Sequence, residues 1–150
     1  MRSRPSSRLL VIDPAGRVLL FRFVHTKGPL TGQNYWSTPG GGLEDGETFE
    51  EAAQRELAEE TGLQVDDIGT QIGHRQFQMQ LPDGEWVMAD ERYFIVRITE
   101  TPISTARWTE LEREVMAAHR WWSRQELIRT SEVVWPEDLV ALLERTEAAS

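Results

Sequence analysis

One stretch of the chain decides the fold: residues 36–63, with the sequence WSTPGGGLEDGETFEEAAQRELAEETGL. It passes from a tryptophan through a proline and three glycines into a segment of strong helix formers. Thr48 and Glu51 have the spacing of a capping box, and Gly62 stands where a left-handed residue commonly ends a helix. The sequence therefore predicts a helix over about residues 49–61, preceded by a glycine-rich turn.

The acidic character of the chain is concentrated in the same stretch. The 150 residues include 25 Asp and Glu against 16 Lys and Arg, a net charge of −9, and no cysteine. Residues 41–63 hold eight acids and one base, so this segment alone accounts for −7. The lack of cysteine excludes disulfides and thiolate zinc sites. The acidity argues against binding a nucleic-acid backbone, which needs clustered Lys and Arg.

The acids of the predicted helix do not all face solvent. At about 100° per residue, Glu56, Glu59 and Glu60 fall on the side of the apolar residues, whereas Glu50 and Glu51 fall opposite. A helix that served only solubility, or that bound a basic protein, would carry all its acids on the outside. Three inward carboxylates repel one another and call for a cation. Oxygen ligands select hard ions, so Mg²⁺, Mn²⁺ or Ca²⁺ is indicated.

The flanking sequence predicts a mixture of strands and helices in one α/β domain over residues 1–150. Strands are predicted at 8–13, 17–24, 76–81 and 85–98, the first two joined as a hairpin. Three other segments are expected to be a flexible end (1–6), a loop (25–38) and a short helical piece (near 110–118). Ser123 and Glu126 form a second capping box, and Pro136 fits the first turn of a C-terminal helix.

No apolar run is long enough for a signal peptide or a membrane span, so we expect a cytoplasmic protein with no membrane partner.

Residues 41–63 resemble the signature of a known enzyme family. The chain fits the Nudix box of the Nudix hydrolases at every fixed position and spacing: Gly41, Glu47 and Arg55-Glu56-Leu57-Ala58-Glu59-Glu60-Thr61-Gly62-Leu63. The residues before it, Trp36 to Gly41, resemble the motif that often precedes the box. The resemblance implies an α/β/α sandwich around a mixed β-sheet. It also implies hydrolysis of a nucleoside diphosphate linked to another group, with Mg²⁺ or Mn²⁺.

The resemblance further implies roles for single residues. Metal ligands would be Glu56, Glu59 and Glu60, together with the carbonyl of Gly41. Glu47 would pair with Arg55 and hold the helix against the loop, although an ordinary Arg55–Glu51 surface pair is an alternative. Glu56 is our candidate general base, and a later glutamate is the alternative. Four residues are candidates for a further metal-binding acid, with Glu114 favoured: Glu91, Glu110, Glu112 and Glu114.

The substrate is less well defined than the family. Gly40 and Gly42 would let the backbone approach phosphates closely, and Phe21 and Trp121 are candidates for stacking on a nucleobase, against the alternative of core packing. Motifs that mark NADH and coenzyme A substrates are absent. A (deoxy)nucleoside triphosphate is therefore the default, with a dinucleoside polyphosphate or an ADP-sugar as the alternative.

Two questions about partners stay open. A non-catalytic nucleotide-binding module would keep the same fold, but the intact Glu56, Glu59 and Glu60 argue against it. A homodimer is the one protein partner considered, and no nucleic-acid partner is expected.

Overall fold

The computed structural model describes residues 1–63, 65, 68–99, 108 and 116–149, and among these no helix is long and apolar enough to cross a membrane. They form one mixed sheet with helices. The strands are β1 (Arg2–Ile12), β2 (Val18–Val24), β3 (Asn34–Ser37), β4 (Gly40–Gly42), β5 (Gln71–Gln80), β6 (Trp86–Arg97), β7 (Met116–Trp122) and β8 (Val134–Trp135). The helices are α1 (Phe49–Thr61), α2 (Arg124–Arg129) and α3 (Leu139–Ala149).

Strand β1 is the centre of the sheet, whose order is β5-β6-β1-β2-β3-β8, with β4 paired to β1 and β7 to β2. Along one edge β1 pairs in parallel with β6 over its whole length. Along the other edge it pairs with β2 at Ile12 and Val18, and with β4 at residues 6–8. Along this edge β1 pairs with β2 at one end and with β4 at the other. The glycine strand, β4, therefore lies where β1 and β2 are no longer paired.

Two layers of helix cover the sheet, as the predicted α/β/α sandwich requires. On one face, Ala53 and Leu57 of α1 pack with Leu9, Phe21 and other buried residues of the sheet. On the opposite face, α3 packs its leucines against a second cluster that includes Leu10, Tyr93 and Trp122. Alternate residues of β1 therefore serve opposite layers, as expected for an extended strand.

Helix α1 forms where the sequence predicts it. The side chain of Thr48 accepts from the Glu51 N–H, the Glu51 carboxylate accepts from the Thr48 N–H, and Gly62 ends the helix at φ 76°. The β1–β2 hairpin and the Ser123–Glu126 capping box are also present. These features share a local origin, because each depends on residues close together in sequence.

Four expectations from the sequence differ from the structure. Residues 2–6 belong to β1 in place of a flexible end, since Arg2 to Ser6 pair with β6. Residues 34–37 of the predicted loop form β3, which adds to β2. Residues 116–118 of the predicted helical piece lie in β7 on the other edge of β2, and 109–115 lie outside the described residues. Helix α3 begins at Leu139, three residues after Pro136.

Candidate active site

Arg55 is the hub of the acidic helix. Its guanidinium donates to both carboxylate oxygens of Glu47, at 2.7 and 2.9 Å, and to the carbonyl of Gly42 at 3.0 Å. Its Nη1 also donates to Glu56 Oε1 at 2.9 Å and to Glu59 Oε2 at 3.2 Å. The predicted Glu47–Arg55 pair is therefore present, and it ties α1 to the loop before it and to β4.

The inward acids lie against the glycine strand. Glu56 and Glu60 are buried, with 8% and 3% of their surface exposed, whereas the Glu59 side chain is 29% exposed. A Cβ atom on Gly41 would lie 2.4 Å from Glu56 Oε1, and the Gly40 N–H donates to Glu60 Oε2 at 3.3 Å. The helical periodicity thus placed Glu56 and Glu60 correctly, and the glycines give their carboxylates room.

The chemistry of this donor set suits a hard divalent cation. The three acids offer only oxygen ligands, and Gly41 lacks the side chain that would fill the space beside Glu56. Among the described residues, no three acidic or histidine side chains already surround a common point as metal ligands. In this structure Arg55 supplies the positive charge between Glu56 and Glu59.

The Gly41 backbone points towards β1. Backbone hydrogen bonds join β1 to β4 at Leu9–Pro39 and Pro5–Leu43. Because ladder bonds recur at every second residue, the intervening Ser7–Gly41 pair is also turned inward. This geometry does not support the predicted use of the Gly41 carbonyl as a metal ligand.

The carbonyls of Gly40 and Gly42 point to the opposite edge of β4. Arg8 donates to the Gly40 carbonyl at 3.4 Å, and Arg55 donates to that of Gly42. Since Glu60 meets the Gly40 N–H at the same edge, this edge of β4 is where backbone and carboxylate oxygens come together.

The two predicted base-stacking residues contribute to the core. Phe21 is fully buried, and Trp108 and His119 cover its ring edge-on at centroid distances of 5.5 and 6.2 Å. The stacking role predicted for Phe21 is therefore wrong, since its ring is used in packing. Trp121 is half-buried against the same cluster, beside Leu19, so core packing accounts for the part of its surface that is covered.

Trp108, Arg8 and Tyr93 were not singled out by the sequence, whereas Glu91 was named as a candidate metal-binding acid. Trp108 donates its indole N–H to the Glu60 carbonyl at 2.8 Å, at the end of α1. Arg8 and Tyr93 both bond to the buried Glu91, so Glu91 is an ion-pair partner on the face away from α1. The alternation of β6, in which Val87, Ala89, Glu91 and Tyr93 are buried, is the pattern that indicates a buried position for Glu91. Glu114, like Glu110 and Glu112, lies outside the described residues.

Acidic pH should weaken the Glu47–Arg55 ion pair, which ties α1 to the loop before it. The hydrogen bond from Arg55 lowers the pKa of Glu47 below the ordinary value of 4.5. Because the folded pKa is the lower one, this stabilisation is complete above about pH 4.5 and is lost as the pH falls through the folded value. We expect Glu47→Gln to cost about 2 kcal/mol at pH 7 and to flatten the decline in unfolding free energy below pH 4.5.

Urea unfolding at pH 7, 5, 4 and 3.5 measures both effects. Glu44→Gln is the matched control, since Glu44 lies 3.6 Å from Arg55 Nε but its side chain is 68% exposed. An equal effect of the two substitutions would show that mere proximity to Arg55, and not the bidentate bond, is responsible.

Comparison with known proteins gives the following matches. A family model for the NUDIX domain matches residues 2–143. The RNA pyrophosphohydrolase of Teredinibacter turnerae is 40% identical over 65 residues, which cover 43% of this chain and 34% of that protein. The chain thus matches about a third of the length of the curated relatives.

Solved structures share the fold over almost the entire chain. The MutT protein from Methanosarcina mazei Go1 superposes with a TM-score of 0.68 at 20% identity, covering 99% of this chain and 95% of that one. The NUDIX domain of Shewanella oneidensis NrtR, solved in complex with ADP ribose, has a TM-score of 0.67 at 16% identity, with coverages of 99% and 89%.

Proposed function

This chain belongs to the NUDIX family, and on that premise we propose that it is a hydrolase of phosphoric anhydride bonds. The substrate is a nucleoside diphosphate linked to another group, and the cofactor is Mg²⁺ or Mn²⁺. The observation that carries the proposal is the placement of the Glu56 and Glu60 carboxylates against the glycine strand, beside the ion pairs of Arg55.

Glu56, Glu59 and Glu60 are the residues that would hold the cation. A divalent ion there neutralises charge on phosphate oxygens and activates a water molecule. A cation held there would share Glu56 and Glu59 with Arg55 Nη1 as positive partners. The bonds of Arg55 to Glu47 and to the Gly42 carbonyl hold its guanidinium independently of these two acids.

The other roles follow from position and chemistry. Glu56 is our candidate for the base that accepts a proton from the attacking water, because it is buried beside Gly41 where the backbone leaves space. Arg4 is our candidate for binding phosphate. Its guanidinium lies next to Gly42, and no described residue accepts a hydrogen bond from it. Burial lowers its pKa, and Arg8 adds to this effect, so an anion there is favoured.

A (deoxy)nucleoside triphosphate remains our first choice of substrate, cleaved with release of pyrophosphate. The ADP ribose bound to the related NrtR domain favours an ADP-sugar as the second candidate. The name of the T. turnerae relative adds an RNA 5′ end, which presents a triphosphate without requiring a long basic groove. An RNA 5′ end would be a nucleic-acid substrate, which the acidity of the chain did not lead us to expect.

A panel of substrates tests the proposal. We expect Mg²⁺-dependent turnover of at least one of deoxynucleoside triphosphates, ADP-ribose, dinucleoside tetraphosphate and a 5′-triphosphorylated oligonucleotide, with pyrophosphate and orthophosphate scored separately. Turnover that persists in excess chelator would contradict the metal role. Binding without turnover across the panel would favour the non-catalytic nucleotide-binding module.

A further inference from the structure

A buried ion pair lies on the face of the sheet away from α1. Arg8 Nε donates to Glu91 Oε2 at 3.1 Å, and the Tyr93 hydroxyl donates to Glu91 Oε1 at 2.7 Å. The side chains of Arg8 and Glu91 are only 16% and 6% exposed, and Tyr93 is almost fully buried. Each carboxylate oxygen of Glu91 thus has a donor from one of these two neighbours.

This arrangement keeps both charges inside the protein. Burial opposes the charge on Glu91, but the Arg8 guanidinium and the Tyr93 hydroxyl outweigh it and lower the pKa of Glu91. Burial also opposes the charge on Arg8, yet the Glu91 carboxylate raises its pKa, and Glu60 contributes in the same direction. A buried ion pair is a poor source of stability compared with apolar packing. Its presence therefore points to a positional role.

The guanidinium of Arg8 extends beyond this pair to the glycine strand. Its Nη1 lies 3.3 Å from the Thr38 carbonyl and 3.4 Å from that of Gly40. The N–H of Gly40, between these two carbonyls, donates to Glu60 Oε2. The Gly40 backbone is closely packed: its φ is 143°, and a Cβ atom on it would clash with the Ser7 carbonyl oxygen at 2.1 Å. Arg8 and Glu60 thus bond to the same residue from opposite faces of the sheet: Arg8 to the Gly40 carbonyl and Glu60 to the Gly40 N–H.

We propose that Arg8 is a positioning residue for the hydrolytic reaction, anchored by Glu91 and Tyr93. By holding the carbonyls of Thr38 and Gly40, it orients the Gly40 N–H, and that N–H places the Glu60 carboxylate for the cation. The inference rests on the proposed function, because it assigns Glu60 to the metal.

Steady-state kinetics of the full chain give the first test. We expect Arg8→Met to lower kcat by about 10- to 100-fold and to raise the half-saturating Mn²⁺ concentration by a similar factor, as for residues that orient metal ligands. The KM for the nucleotide should change by less than about threefold, since Arg8 does not touch it. A rise in KM at unchanged kcat would show that Arg8 binds substrate directly.

A milder set of variants separates positioning from loss of fold. Tyr93→Phe and Glu91→Gln keep side-chain shape, and each should lower kcat in wild type but have little further effect in the Arg8→Met background. Arg2→Ala is the matched control, because Arg2 of β1 forms an exposed ion pair with Glu85, the residue before β6. Equal losses in both backgrounds would contradict an action through Arg8.

The NMR amide resonance of Gly40 in the metal-free protein tests the coupling of Arg8, Glu91 and Tyr93 to the Gly40 N–H, and it needs no activity measurement. We expect ¹⁵N-labelled Tyr93→Phe and Glu91→Gln to shift this resonance and Arg2→Ala to leave it unchanged. An unmoved Gly40 amide, or kcat losses that only match those of Leu142→Ala at an equal loss of Tm, would overturn the proposal. If wild type shows no metal-dependent turnover, the proposed function fails, while the Gly40 measurement still decides the structural link.

Discussion

Replacing Glu60 with glutamine is expected to lower kcat for metal-dependent hydrolysis by about 10³-fold or more. A bound metal supplies several kcal/mol of charge stabilisation, and about 1.4 kcal/mol corresponds to a factor of ten in rate. Glutamine keeps the size of the side chain and its contact with the Gly40 N–H but removes the charge. Rates at saturating Mg²⁺, measured with the best substrate of the panel, give the comparison.

The fold should survive this substitution. Glu60 is 3% exposed, and glutamine has nearly the same size, so the packing at the end of α1 is kept. We expect the metal-free variant to remain folded and to unfold cooperatively, and the Mg²⁺-induced increase in Tm to disappear, since only a bound ligand produces it. Glu50→Gln, on the exposed side of α1, is the control. A Glu60→Gln enzyme with wild-type kcat would exclude Glu60 from the metal site.

Gly41→Ala is expected to separate activity from stability. The added Cβ would lie 2.4 Å from Glu56 Oε1, so the carboxylate must move. A carboxylate at the end of a flexible side chain can move at little cost, and Gly41 does not have a positive φ. We expect the free energy of unfolding to change by less than about 1 kcal/mol. In contrast, kcat should fall by about 100-fold, as for a catalytic group misplaced by about 1 Å.

Gly40→Ala is the matched comparison on the neighbouring residue. Its Cβ would lie 2.1 Å from the Ser7 carbonyl oxygen, and its φ of 143° is nearly restricted to glycine. The Ser7 carbonyl belongs to the backbone of β1 and cannot move without distorting the strand. We therefore expect this variant to lose at least about 3 kcal/mol of unfolding free energy. Urea unfolding and kcat of both variants test the contrast. If Gly41→Ala were as unstable as Gly40→Ala, its loss of activity would carry no information about Glu56.

The predictable part of the fold is the part with local signals. The bounds of α1 follow from Thr48, Glu51 and Gly62, which lie within the helix or next to it. The inward position of Glu56 and Glu60 follows from helical periodicity alone. The burial of Thr61, whose hydroxyl donates to the Leu57 carbonyl, has no such local signal. The end of a helix is where neighbouring segments, not the helix itself, decide burial.

The parts that sequence reasoning missed depend on pairing between distant strands. Residues 2–6 carry no apolar pattern, yet they form a strand because β6 lies beside them. The roles of Arg8 and Glu91 likewise arise from β1–β6 register, across a separation of 83 residues. The sequence left Phe21 as a candidate for stacking on a nucleobase, with core packing as the more common role of such a residue. Its burial under Trp108 and His119 settled that question.

The central claim is that the inward carboxylates of α1 bind a metal. Binding of Mn²⁺, measured by the loss of the electron paramagnetic resonance signal of unbound Mn²⁺, tests it most directly because it needs no knowledge of the substrate. The wild-type chain and Glu50→Gln should bind at least one Mn²⁺ with the same affinity, and Glu60→Gln should bind it at least about tenfold more weakly. Equal Mn²⁺ binding by all three proteins, or none by the wild type, would contradict the assignment of the inward carboxylates of α1 to a metal.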